Sequence, residues 1–98
     1  MSDPGPISVE CEAQGTGWVC HVTVGEESAQ TSHRVTLSQS DLRRLAPGID
    51  DPEVLVHVSF LFLLEREPRS SILTRFALPQ IGYYFPDYEA AMAARLRP

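Results

Sequence analysis

Lysine is absent from this 98-residue chain: its eight basic residues are all arginine, set against thirteen acidic ones for a formal net charge of −5. That balance disfavours non-specific wrapping of nucleic acid, which rests on many cationic contacts with phosphates. Arginine without lysine, beside eight prolines and a similar load of alanine, reads as codon bias of a GC-rich genome rather than as selection for bidentate chemistry. No apolar run approaches the ~20 residues that span a bilayer. The start, Met1-Ser2-Asp3-Pro4-Gly5-Pro6, has neither the basic nor the apolar region of a signal peptide, so a soluble cytoplasmic protein is expected. Also missing are a glycine-rich phosphate loop, a CxxC or HxxxH pair, an internal repeat and a low-complexity linker. The length bounds the chain to one domain over 1–98, with 1–6 expected as a flexible arm. A domain of this size buries only ~60–70% of its unfolded surface, so nearly every long apolar residue is needed for the core.

What is present alternates at first in period two. Ile7, Val9, Cys11 and Ala13 form an apolar or small set against Ser8, Glu10 and Glu12, and Trp18, Cys20, Val22 and Val24 form another. These are half-buried strands. With Gly15-Thr16 as the centre of a type II′ turn, Ile7 falls opposite Val24, Val9 opposite Val22, Cys11 opposite Cys20 and Ala13 opposite Trp18. Every inward residue then meets an inward residue, a match that a one-residue slip destroys. A third strand is expected over 32–37, with His33, Val35 and Leu37 inward and Arg34 and Thr36 outward. Three strands alone are marginal, so the apolar face needs a cover.

The rest of the chain supplies it. Ser38 with Asp41 fits a capping box for a short helix through Leu45, stopped by Pro47-Gly48. Asp51-Pro52-Glu53 then carries an acid at the N-cap, proline at the first helical position and a carboxylate in the first turn. The helix it starts is expected to reach about Glu67, before Pro68. Its apolar residues, Val54 through Leu64, point around nearly the whole circumference, which predicts a buried central helix with Leu61 in its middle. Beyond Pro68, Ser70 or Ser71 is expected to cap a short helical turn anchored by Ile72, Leu73 and Phe76. Pro79 opens another carrying Ile81, Tyr83 and Tyr84, and a last helix runs from Pro86 through Met92 to Leu96. The expected fold is α+β: a three-stranded antiparallel β-meander followed by a helical C-terminal half, the central apolar helix packed on the sheet.

The strings from Ser59 to Pro68, then Ser71-Ile72-Leu73, then Tyr84 to Glu89, resemble small uncharacterised proteins of high-GC bacteria that carry the pattern "SFxFLLEREP…SIL…YFPxYE". The resemblance is clearest in the C-terminal half. It implies a shared fold and a bacterial cytoplasmic setting, and transfers no activity and no site residue.

Candidate chemistry is sparse. Cys11 and Cys20 fall at a non-hydrogen-bonded pair with Cα atoms ~4.5 Å apart, which a disulfide accepts. A cytoplasmic setting nevertheless predicts two buried free thiols. Cys20 and His21 are neighbours on a strand and face opposite sides, so with His33 and His57 they make no convergent ligand set, and no metal is expected. If His21 lies between Glu10 and Thr36, the row imitates an acid, base and nucleophile. A flat wet face lacks the pocket and oxyanion donors of acyl transfer, so the row reads as a polar ladder. His33 on the inward face and His57 within the apolar helix read as satisfied or partly buried histidines, and Arg66, Arg69 and Arg75 near Glu65 and Glu67 as partners in surface ion pairs.

Neither a catalytic residue nor a cofactor is expected. The function predicted is a small non-enzymatic binding or regulatory module working through protein–protein contact, self-association included. Its partner-binding candidates are Arg69, Arg75, Tyr83 and Tyr84, since tyrosine beside arginine is what interface centres favour. The alternative is a nucleic-acid-binding regulator using Arg43, Arg44, Arg66, Arg69 and Arg75. No membrane association is expected.

Overall fold

Gly15 adopts φ 59°, while no non-glycine among the described residues has positive φ. That is the backbone a type II′ turn requires at its first central position. Around it, β1 (Ile7–Gln14) and β2 (Gly17–Val24) pair antiparallel in the predicted register, from Ile7 opposite Val24 to Ala13 opposite Trp18. The computed structural model describes residues 6–96. Of the expected arm, residues 1–5 lie outside the described residues, and Pro6 continues the hairpin by accepting a hydrogen bond from the Gly25 amide at 3.0 Å.

β3 (Thr31–Ser38) joins antiparallel to β2, one turn of 3-10 helix at Glu27–Ala29 making the connection. Here the register differs from expectation by two residues. Arg34, not Thr36, lies opposite His21, and Leu37 lies opposite Trp18. A two-residue slide leaves every side chain on its own face, so the hydrophobic alternation does not oppose it. The acid, base and nucleophile row over Glu10, His21 and Thr36 therefore does not exist.

A fourth strand, β4 (Arg75–Ala77), pairs parallel to β3, giving the mixed order β1-β2-β3-β4. It replaces the short helix expected after Ser71, where only a 3-10 turn at Arg69–Ser71 forms. The reason is burial in period two over 75–78: Phe76 and Leu78 are buried while Arg75 is exposed and Ala77 half-buried. Phe76 extends the inner face beside Val35, and the Arg34 amide donates to the Thr74 carbonyl at 2.7 Å.

The helical half follows the capping signals. α1 (Gln39–Leu45) starts with the predicted capping box, Ser38 Oγ accepting from the Asp41 amide at 3.0 Å and Asp41 Oδ2 from the Ser38 amide at 2.9 Å. α2 (Pro52–Leu64) has Asp51 as N-cap, its carboxylate accepting from the Glu53 amide at 2.9 Å. It stops three residues before Glu67 because the chain tightens, the Arg66 amide bonding back three residues to the Leu63 carbonyl at 3.0 Å. After a 3-10 turn at Leu78–Gln80 come α3 (Ile81–Tyr84) and α4 (Tyr88–Leu96).

α2 is the central element, packed on both sides. Phe60 faces the sheet, its ring 5.3 Å from His33 and 6.1 Å from Phe76, while Phe62 lies 5.5 Å from Tyr88 and 6.0 Å from Phe85. Each fully buried phenylalanine contributes ~1.5–3 kcal/mol relative to exposure. The helix is not buried all round, however. Val54 and Leu61 are each 39% exposed, which corrects the expectation of a buried Leu61. These positions lie two turns apart on one face, which neither the sheet nor α4 covers.

Cys11 and Cys20 form a disulfide across the hairpin, Cα atoms 4.0 Å apart, where free thiols were expected. Non-hydrogen-bonded pairs bring side chains closest, and the register alone decides the geometry. Oxidised, neither sulfur is available as a nucleophile or a metal ligand.

Candidate partner-binding groove

The C-terminal end of α2, the extended approach to β4, and α3 leave a groove of about 380 Å³ between them. Leu63, Ile72, Phe76 and Ile81 make its floor, with Leu73, Tyr84 and Phe85 at its sides. The volume lies in the range of small-ligand and side-chain pockets. Leu73 is 48% exposed and Tyr84 64% exposed, an unusual allowance of large apolar surface for a domain whose core needs its apolar residues. Glu67 is the one ionisable acid at the rim, beside Ser71 and Gln80, and it has no ion-pair partner among the described residues.

Two side-chain hydrogen bonds hold the walls. His33, 3% exposed, donates from Nδ1 to the Leu73 carbonyl at 2.8 Å, and its Nε2 accepts from Thr31 Oγ1 at 3.0 Å. A carbonyl accepts only, so the neutral tautomer with the proton on Nδ1 satisfies both nitrogens. This agrees with the reading of His33 as a satisfied core histidine. On the other side Gln80 Oε1 accepts from the Ala77 amide at 2.7 Å, closing one donor on the free edge of β4.

The four sequence candidates do not converge. Tyr84 lines the groove. Tyr83, 84% exposed, lines a second, smaller recess of about 260 Å³ with Arg44, Pro79 and Glu89. Arg75 precedes Phe76 on β4 and so faces the opposite side of the sheet, paired with Arg34. Arg69 lies by the β2–β3 connection, where a Cβ added to Gly25 would come 3.2 Å from its Nε. Sequence reasoning placed Leu73 and Phe76 only as helix anchors. The alternation of Phe76 and Leu78 with Arg75 and Ala77 was the signal for the strand that builds the groove.

Most other charges are structural. Arg44 bridges Asp41 at 3.5 Å and Glu89 at 2.9 Å, Arg66 bridges Asp87 at 2.5 Å, and Arg95 bridges Glu65 at 2.6 Å. The Arg95 hydrogen bond holds the Glu65 carboxyl below its ordinary pKa, and the same bond raises the pKa of the Arg95 guanidinium. Burial pushes the Tyr88 phenol well above its ordinary value, against the opposing hydrogen bond to Ser59. Arg44 and Arg66 are thus engaged, while Arg43, Arg69 and Arg75 stand on three different elements. Among the described residues, no group of three histidine, cysteine, aspartate or glutamate residues is placed to hold a metal.

Compared with known protein families, curated proteins and solved structures, the chain matches none significantly. The residues behind the sequence resemblance lock the fold together. Ser59 bonds to Tyr88 at 2.7 Å, and Arg66, its guanidinium 4.2 Å from the Phe62 ring centroid, reaches Asp87. Among the described residues, no helix is long and apolar enough to cross a membrane.

Proposed function

We propose that the protein is a non-enzymatic binding module that docks a segment of another protein in the groove beside Tyr84. The observation that carries this reading is the open apolar groove itself, with Leu73 at 48% and Tyr84 at 64% exposure on a domain with little apolar surface to spare. Its occupant is a short amphipathic segment that seats a bulky apolar side chain over Phe76 and Ile81 and sets a basic side chain against Glu67. The unpaired Glu67 and the net charge of −5 both favour a basic partner over a second copy of this acidic chain. Tyr84 and Leu73 supply the large desolvated contacts on which interface energy concentrates.

A random-peptide library selected against the wild-type protein tests this. Enriched peptides should pair a bulky apolar residue with lysine or arginine, and should lose most of their affinity for Leu73→Glu and Tyr84→Ala. Both substituted positions are exposed, so folding is expected to survive. Peptides that bind the two variants as tightly as wild type would refute the groove. Concentration-dependent mass of the protein alone would transfer the surface to self-association, and steeply salt-dependent binding of DNA or RNA to nucleic acid.

A further inference from the structure

Across the outer face of the sheet, the register sets Glu10, His21, Arg34 and Arg75 in one row over four strands. All four are exposed. Arg34 and Arg75 are direct neighbours on paired strands, ~4.8 Å apart at the backbone, and neither has a carboxylate within ion-pairing distance among the described residues. Like charges side by side on a sheet cost stability, and in this molecule Arg44, Arg66 and Arg95 are all given acids. Arg43 and Arg69 also lack an acid among the described residues, but of these arginines only Arg34 and Arg75 are direct neighbours on paired strands, with His21 next in line.

We infer that Arg34 and Arg75 form a site for a phosphoryl group borne on a side chain of the protein partner. The inference rests on the proposed docking function only in placing that group on a protein. Two guanidinium groups match a dianion in charge and offer it two planar forks of donors, whereas a carboxylate occupies only one. Glu10 and Glu12 lie on the same face at its far side, so a long polyanion tracking across the strands meets repulsion there. This limits the ligand to one compact anionic group. The face is open, so a free phosphate gains little enclosure. A phosphorylated side chain gains from its own segment, because Arg75 and Phe76 are consecutive on an edge strand and the groove lies just across β4.

Titration of isotope-labelled protein at constant ionic strength, reading the arginine side-chain resonances, tests the site directly. N-acetyl-phosphoserine amide should shift Arg34 and Arg75, and N-acetyl-glutamate amide should bind about tenfold more weakly or worse. The double variant Arg34→Gln/Arg75→Gln should lose the response, while Arg43→Gln, on α1, should keep it. The probe is too small to need the groove, so the result stands whether or not the peptide selection succeeds. Equal binding of the two amides, or a response retained in the double variant, overturns the site. Inorganic phosphate binding about tenfold more tightly than the phosphoserine amide overturns the protein-borne source in favour of a free ion. Tight, steeply salt-dependent binding of a single-stranded oligonucleotide overturns the inference in favour of nucleic acid.

Discussion

Tyr88 and Ser59 form a buried hydrogen bond, at 2.7 Å, between α4 and the middle of α2. Both residues are 0% exposed, and the Ser59 hydroxyl has one other contact, the Met92 sulfur at 3.6 Å. Tyr88→Phe leaves that hydroxyl with only a weak acceptor, and Ser59→Ala leaves the phenol with nothing. Each should cost ~1–3 kcal/mol, the desolvation of one unsatisfied group. The double variant removes both groups together and should cost no more than either single, a coupling of ~1 kcal/mol or more. For a chain of this length ~1 kcal/mol lowers Tm by roughly 4–8 °C. The same burial sets an alkaline limit. The folded Tyr88 pKa is raised above the unfolded one, so its contribution is fully present below the unfolded value, near 10, and is lost as pH rises beyond it. Unfolding free energy should fall by up to ~1.4 kcal/mol per pH unit there on account of this group. Urea unfolding of wild type, both singles and the double, at neutral pH and above pH ~10, measures all of it. Additive losses in the double variant, or an alkaline slope unchanged by Tyr88→Phe, would refute the reasoning.

Leu61→Asp should stay folded at a loss of about 1–2 kcal/mol, because the side chain is 39% exposed and forfeits only part of a full burial, whereas Leu55→Ala, at 0% exposure, should cost ~2–5 kcal/mol; thermal melts distinguish them. Reducing Cys11–Cys20, nine residues apart, should add two daltons and lower stability by at most ~2.7 kcal/mol, the loop-closure value for so short a loop. Urea curves with and without reductant measure the loss, and an unchanged midpoint would contradict it. Glu53 Oε2 accepts from the Cys11 amide at 3.1 Å on the free edge of β1. Glu53→Ala should therefore leave an open edge donor and raise self-association, which sedimentation velocity over a concentration series would register; a variant as monomeric as wild type would show that the edge needs no guard.

How much was legible depended on what each pattern constrains. The β1–β2 register could be read because Gly15-Thr16 and two alternating strands agree on a single pairing. The β2–β3 register could not, because alternation fixes parity and leaves shifts of two residues open, and only the conformation of 25–30 chooses among them. β4 is three residues long, and its period-two burial competes with a helical reading of Ile72, Leu73 and Phe76 that the sequence favours equally. In α2 apolar residues point in every direction, so nothing local reveals that Val54 and Leu61 face outward while Ser59 is buried. The capping residues Ser38, Asp41 and Asp51 act within one turn, and all did as read. Tyr84 could be singled out as a large exposed side chain. That Arg75 points elsewhere follows from the strand that begins at that residue, and Arg69 sits in the 3-10 turn before it; the sequence announced neither.

The parallel placement of β4 has a kinetic consequence. β1, β2 and β3 join neighbours in the chain, and a covalent link spans the first hairpin, so they close only short loops. β4 reaches β3 after all of α1 and α2, a long loop to close for three residues of pairing. The stretch 72–85 is accordingly expected to be the last cooperative unit to dock and the first to lift away, held by the His33 imidazole, one short ladder and the side chains of Ile72, Phe76, Leu78, Ile81 and Phe85. Its amides should exchange with solvent through sub-global opening, at lower free energy than those of the meander. The groove is then a surface whose walls can part while the hairpin sheet stays native, and an occupant that ties those walls together raises the protection of its own binding site.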